Sequence, residues 1–388
     1  MRLSLLLLPL VAAVVADLVE EPELSLAEPC DEEKCQLPSC RCSSVSIPGG
    51  LEARDTPQFV LLTFDNAIDT INTETYRNLL YWRTNSNQCK AGVTFFINHE
   101  YSDYTMINEL YNQGYEIGLK SISHQTPQDY WRDADYDTLM AEFADQKKMM
   151  AHFANIPESA ITGMRSPFLQ MAGNETYKVL ASAGLTYDSS WSTIAYTNPG
   201  LWPYTLDYES IQDCVTAPCP TASVPGAWVL PMIAWFDLQN NPCAMASSCF
   251  YFTRSRPDLE DEQAWFKFMV TNFERHYLGN RAPFGIFLNE WFIRAYPPVQ
   301  RAFVRFLDLI NELNDTFMVS AKDVLDWVRD PIPIDEYRKK PCKTVQEAAC
   351  RPTFCGPLSA RHTELVYYMS QCNRCPSVYP WVGNPYGL

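Results

Sequence analysis

Asp65 stands at the end of the apolar run Phe59 to Thr63, and Asn66 follows it. A buried strand that ends in a carboxylate is how a fold delivers a catalytic group, and the next position looks as if it should be another carboxylate. Asn66 offers only a neutral oxygen. Other stretches carry residues with related chemistry. Lys120-Ser-Ile-Ser-His124 sets an ammonium and an imidazole four positions apart, just beyond the strand-like run Y-E-I-G-L. Arg165-Ser-Pro-Phe168 follows I-T-G-M, Asp188 lies in Y-D-S-S, and Asn289-Glu290-Trp291-Phe292 follows another apolar run.

The elements that must position these residues are legible as an alternation. Short apolar strands are expected at 59–63, 92–97, 161–164, 227–232, 284–288 and 316–319. Helical patterns fill 73–82, 104–112, 136–153, 174–182, 260–277 and 297–312. This rhythm predicts an α/β fold, a parallel sheet with helices outside it, open or closed as a barrel. Functional groups in such folds collect at the carboxyl ends of strands, so the scattered motifs are expected to converge on one face.

The flanks read differently. Residues 1–16 pair one positive charge at Arg2 with an apolar run ending in small residues, the pattern of a secretory signal peptide and too short for a membrane anchor. Residues 17–55 are acidic and rich in Pro and Cys, a disulfide-held strap. The α/β core is assigned to 56–333, and 334–388 is a second Cys-rich strap. Fourteen cysteines in an exported chain predict up to seven disulfides, with Cys214/Cys219 and Cys243/Cys249 as local loop staples. A zinc ribbon is the rival reading of Cys372-x-x-Cys375. Asn174-Glu-Thr and Asn314-Asp-Thr are glycosylation sequons that agree with export. A formal charge of −16 argues against nucleic acid and anionic membranes and allows a neutral or cationic polymer.

T-F-D-N-A, G-L-K-S-I-S-H, R-S-P-F-L-Q and L-N-E-W-F resemble degenerate forms of the polysaccharide deacetylase motifs of carbohydrate esterase family four. C-Q-L-P-S-C-R-C-S-S, V-T-F-F-I-N-H-E-Y, W-P-Y-T-L-D-Y, C-P-T-A-S-V-P-G-A-W and C-P-S-V-Y-P-W-V-G-N-P extend the likeness to insect chitin deacetylases of the short midgut type, from about Cys30 onward. The resemblance implies a distorted parallel (β/α) barrel with disulfide-rich N- and C-terminal straps. It also implies removal of acetyl groups from N-acetylglucosamine polymers. A metal held by one Asp and two His would polarise the amide and activate water, a second Asp would act as base, and a His would protonate the leaving amine.

Carried over residue by residue, Asp65 matches the base and Arg165 the residue that orients it, with Asp188 as the partner of that Arg. Pro167, Phe168 and Trp291 match substrate-binding positions. His124 is the only matching metal ligand, because Asn66 and Lys120 replace the other two. The general-acid position falls on Asn289 counted from Gly285, or on Leu288 counted back from Trp291, and neither shuttles a proton. A lysine ammonium at about 4 Å from a divalent ion is repelled by roughly 8 kcal/mol at an effective dielectric of about 20. No cofactor is therefore expected, with zinc or another divalent metal entering only if neighbouring residues rebuild the site. Lys120 is expected to neutralise Asp65 where the ion would have been, against the alternative that it points into solvent.

Three functions follow. The first is a secreted, extracellular protein, in gut peritrophic matrix or another matrix, that binds chitin or N-acetylglucosamine oligomers with a lapsed centre. The second is an active metal-dependent deacetylase, and the third a matrix protein that does not use the cleft. Outside the motifs, His99 is expected to be a structural hydrogen-bonder, and His152, His276 and His362 to be surface or tail residues. Tyr379, Trp381 and Tyr386 are expected to pack the C-terminal strap onto the barrel.

Overall fold

The structure, a computed structural model, describes residues 23–237, 239–250 and 261–388. The expected signal peptide, 1–16, lies outside them. Among the described residues, one sheet is built from β1 (Gln58–Asp65), β2 (Thr94–Ile97), β3 (Glu116–Leu119), β4 (Gly163–Met164), β5 (Tyr187–Asp188), β6 (Tyr204–Leu206), β7 (Val224–Val229), β8 (Phe284–Asn289) and β9 (Thr316–Met318). Its order is β8-β1-β2-β3-β4-β5-β7-β6, with β9 on the first residues of β1. All pairs are parallel except β6 with β7.

Strand alternation sorts the side chains into two layers. Phe59 and Leu61 of β1 join Phe96, Tyr187, Trp228, Phe287 and Phe317 in the interior. Val60, Leu62 and Phe64 face the helices. Trp327 stacks on Trp202 at 5.5 Å and meets Phe59 at 5.3 Å, plugging the end of the barrel where β1 begins. Gly163 is required inside, because a β-carbon there would lie 2.0 Å from the Tyr187 ring. Met232–Ile233 packs beside β8, and Trp235 Nε1 donates to Gly285 O at 2.8 Å, which draws the edges of the sheet together. The result is a distorted, parallel-rich (β/α) barrel.

The helices start where side chains satisfy their free N–H groups. α1 (Thr70–Leu80) begins three residues before its apolar pattern, because Asp69 and Asn72 form a capping box. Asp103 caps α2 (Tyr104–Asn112). The expected helix at 136–153 contains a π-turn, Met140–Ala144, before α3 (Asp145–Ala154). α4 (Asn174–Ser182), α5 (Glu262–Tyr277), α6 (Glu290–Ala295) and α7 (Pro297–Glu312) follow. α8 (Ala321–Arg329), boxed by Ser320 and Asp323, has no counterpart in the sequence reading.

All fourteen cysteines are paired. Cys30–Cys42 and Cys35–Cys40 hold the N-terminal strap, and Arg41 docks it by donating to Pro203 O at 2.9 Å. Cys214–Cys219 and Cys243–Cys249 are the expected loop staples. Cys372 and Cys375 go to different partners, Cys350 and Cys355, so no zinc ribbon forms. These two bridges brace a hairpin of β10 (Thr353–Ser359) and β11 (Val366–Gln371). Cys89, which the sequence reading left without a place, reaches Cys342 across 253 residues.

Candidate functional site

Asp65 is the last residue of β1, and the ladder carries on past the strand ends around it. Asn66 N donates to Phe96 O, Lys120 N to Ile97 O, Arg165 N to Leu119 O and Ser189 N to Met164 O. The motifs that were scattered in sequence thus stand side by side at one end of the barrel. Asp65 is 5% exposed, Lys120 4% and Arg165 0%. Lys120 Nζ lies 2.7 Å from Asp65 Oδ2, and Arg165 Nη1 lies 2.7 Å from Oδ1. Each carboxylate oxygen therefore has its own cation. The expected Lys120–Asp65 pair is present.

Burial pushes the Asp65 carboxyl up, but Arg165 and Lys120 together outweigh it and the net direction is down. Burial pushes the Lys120 amine down, Asp65 resists this, and Arg165 adds to it. With two cations on its oxygens, Asp65 is ionised at neutral pH, and the short contact to that anion keeps the proton on Lys120. Arg165 is clamped further by Thr63 Oγ1 at 2.8 Å, Ser189 O at 2.7 Å and Ser189 Oγ at 2.9 Å. Its guanidinium lies 4.1 Å from the Phe96 ring centre and 5.0 Å from that of Phe287.

The expectation that Asp188 partners Arg165 directly is corrected here. Asp188 accepts instead from Ser190 N at 2.9 Å, Ser190 Oγ and Tyr177 OH. It fixes the turn after β5, and that turn offers Ser189 to the guanidinium. Burial pushes the Asp188 carboxyl up to about 6. His276 is corrected as well. It is buried, not at the surface, and its Nδ1 pairs with Ala282 O at 2.9 Å. His99 is the structural hydrogen-bonder expected, with Tyr104 OH at 2.7 Å on Nδ1 and Pro380 O at 3.0 Å on Nε2. Tyr379 and Trp381 pack around it.

The loop from Lys120 to His124 is held from below. Glu142, in the π-turn, accepts from Ile122 N, Ser123 N, Ser123 Oγ and Tyr130 OH. Gln146 donates to both Ile97 O and Ser121 O. Sequence reading missed both residues, since nothing in their spacing links them to a loop twenty residues earlier. Thr63 was within reach, because alternation puts it on the same face as Asp65. The backbone enters the left-handed region at Asn66, Ser121, His124 and Phe168, so strain is gathered on the loops of this face.

Asn289, at the end of β8, is the register partner of Asp65, and Asn66 Nδ2 donates to its Oδ1 at 2.8 Å. Leu288 instead points into the apolar layer under the helices. The His124 ring lies 5.4 Å from that of Phe168, and burial, with Lys120 adding, holds its imidazole down to about 4. Phe168 is 43% exposed and Trp291 40%, whereas Pro167 is buried in its turn. The donors available at Asn66, Lys120 and His124 do not fit a divalent ion. One is a neutral amide oxygen, one an ammonium and one a lone imidazole. Among the described residues, the only three Asp, Glu, His or Cys side chains close enough to share an ion are Cys30, Cys35 and Cys42, all in disulfides.

Residues 52–187 match the family described as polysaccharide deacetylase. The chain is 61% identical to chitin deacetylase 8 of Bombyx mori over 387 residues, covering 100% of this chain and 99% of that one. It is 31% identical to chitin deacetylase 1 of Bombyx mori, over 93% of this chain and 69% of the other. Among solved structures it is similar to a probable polysaccharide deacetylase from Pseudomonas aeruginosa PAO1. That match has a TM-score of 0.47 and 13% identity, and covers 71% of this chain and 92% of that one. Among the described residues no helix is long and apolar enough to cross a membrane.

Proposed function

Because this chain belongs to the polysaccharide deacetylase family, as a chitin deacetylase-like member, we propose that it is a secreted protein that binds chitin or related N-acetylglucosamine polymers without hydrolysing them. The observation that carries this reading is the double occupation of Asp65. A base must be basic, and the two fixed cations on the two oxygens pull the Asp65 carboxyl down, which makes it a weak acceptor for the proton of a water. Asn289 stands where the resemblance places the acid, and an amide does not titrate in the neutral range.

The replacement is also electrically conservative. One carboxylate, one ammonium and one guanidinium leave a single positive charge. The centre implied by the resemblance, with two carboxylates, a divalent ion and one guanidinium, leaves the same. An ammonium can thus stand in for an ion without leaving a buried carboxylate uncompensated. The donors at Asn66, Lys120 and His124 do not fit a metal that would activate water. Binding needs neither metal nor base. A rigid cleft floor with exposed aromatic faces at Phe168 and Trp291 suffices for a sugar chain. The disulfides and the expected leader support an extracellular site of action, such as a chitin-containing gut lining.

The test is acetate release from chitin oligomers by the mature protein in excess zinc or cobalt. It is run beside a variant carrying Asn66→Asp, Lys120→His and Asn289→His. Silence from the natural protein with retained oligomer binding is expected, and turnover by the variant would locate the defect in these positions. Clear turnover by the natural protein overturns the reading.

A further inference from the structure

The polar groups at this end of the barrel differ in how much of their hydrogen-bonding capacity is used. Both oxygens of Asp65 and every nitrogen of Arg165 have partners, and Glu142 takes four donors. Lys120 is different. It is 4% exposed and gives one of its three N–H groups to Asp65, with no second acceptor among the described residues. Asn66 gives one N–H to Asn289 and keeps its own oxygen unused, and the amino group of Asn289 is likewise uncommitted. These groups adjoin, since Asn66 follows Asp65 and Asn289 is its register partner.

A ligand for these groups must supply an acceptor to a buried cation and a donor to an amide oxygen. It must carry no positive charge, because Lys120 and Arg165 already outnumber Asp65. A neutral secondary amide meets all three conditions and an ammonium group fails the last. Resting on the reading of the cleft as a sugar site, we propose that Lys120 reads the acetyl group. Its spare N–H groups bind the acetamido carbonyl, Asn66 Oδ1 accepts the amide N–H, and free-amine sugar units are rejected. The chain's overall charge of −16 pulls cationic sugars the other way, but salt screens exposed charges far more than this buried one.

The experiment titrates the purified protein with N-acetylglucosamine and glucosamine oligomers of equal length. It is run at about pH 6, where a free amine is largely protonated, and at about 0.15 M salt. The acetylated oligomer is expected to bind about tenfold tighter or more, and Lys120→Met to shrink that gap. Asn66→Gly, which suits the left-handed backbone there, is expected to weaken the acetylated oligomer alone. Thermal melts confirm that each variant is folded. Equal or tighter binding of the deacetylated oligomer, or an unchanged gap in folded Lys120→Met, overturns this inference and leaves the sugar site standing. Failure of both oligomers to bind the natural protein overturns the two together.

Discussion

The Lys120 ammonium and the Asp65 carboxylate meet at 2.7 Å, with the side chains 6% and 2% exposed, across 55 residues of sequence. Arg165 holds the other oxygen at the same distance. A buried anion between two buried cations makes the three side chains one unit, and changes to them should not add.

Asp65→Asn leaves two cations facing each other out of water, and is expected to lower stability by about 3–5 kcal/mol. Lys120→Met leaves Asp65 with Arg165 and should cost less, about 1–3 kcal/mol. The double variant should fall well short of the sum. Urea unfolding at neutral pH measures all three, and strict additivity would show that the pair is geometric only.

Trp291 and Phe168 lie half in solvent, so truncating them removes contact surface for a sugar more than core packing. Each alanine variant should lose roughly 1 kcal/mol of oligomer affinity, about fivefold, with the melting temperature little changed. Calorimetric titration beside a thermal melt decides this. Unchanged affinity in both would move the sugar site away from this end of the barrel.

His99 supplies a pH dependence with a definite sign. Burial, with His362 adding and Pro380 O opposing, lowers its imidazole to about 3, against an ordinary 6.5. As pH falls, the unfolded chain takes up this proton first. The stability that neutral His99 provides is complete above about pH 6.5 and is lost progressively toward about pH 3. Relative to His99→Gln, the natural protein should therefore lose melting temperature on acidification, with parallel behaviour above neutrality. Parallel curves throughout would mean the imidazole is not held neutral.

Cys89–Cys342 closes a loop of 253 residues, joining the segment before β2 to the strap beyond α8. Replacing both cysteines by serine should cost about 2–5 kcal/mol. Hydrogen exchange should rise near residues 331–350 and stay unchanged at Asp65. Protection lost equally across the barrel would show that the bridge supports the whole sheet.

The strands and helices were legible because their periods differ, and the site because every motif followed a strand. The pairing of Lys120 with Asp65 follows from the resemblance, which brings both to one centre, together with their opposite charges. Other features were hidden for a common reason, which is that they depend on contacts between segments with no shared pattern. Asp188 reads as an arginine partner because the family resemblance carries that role to it. Only the turn after β5 reveals that it acts through Ser189 and Ser190. Glu142 sits mid-helix in sequence, and the π-turn that aims it at the histidine loop leaves no compositional trace. His276 looked peripheral because its acceptor, Ala282 O, lies past the end of its helix.

The bond from His99 to Pro380 has a bearing on how the molecule is made. These residues are 281 positions apart, yet their contact buttresses the end of β2, the strand beside Asp65. During synthesis the barrel strands emerge long before residue 380 does. A nascent chain must therefore carry the end of β2 without this buttress, with the His99 imidazole still open to water and protons, until the strap docks. Rigidity at the end of β2 should lag behind that of the strands beside it.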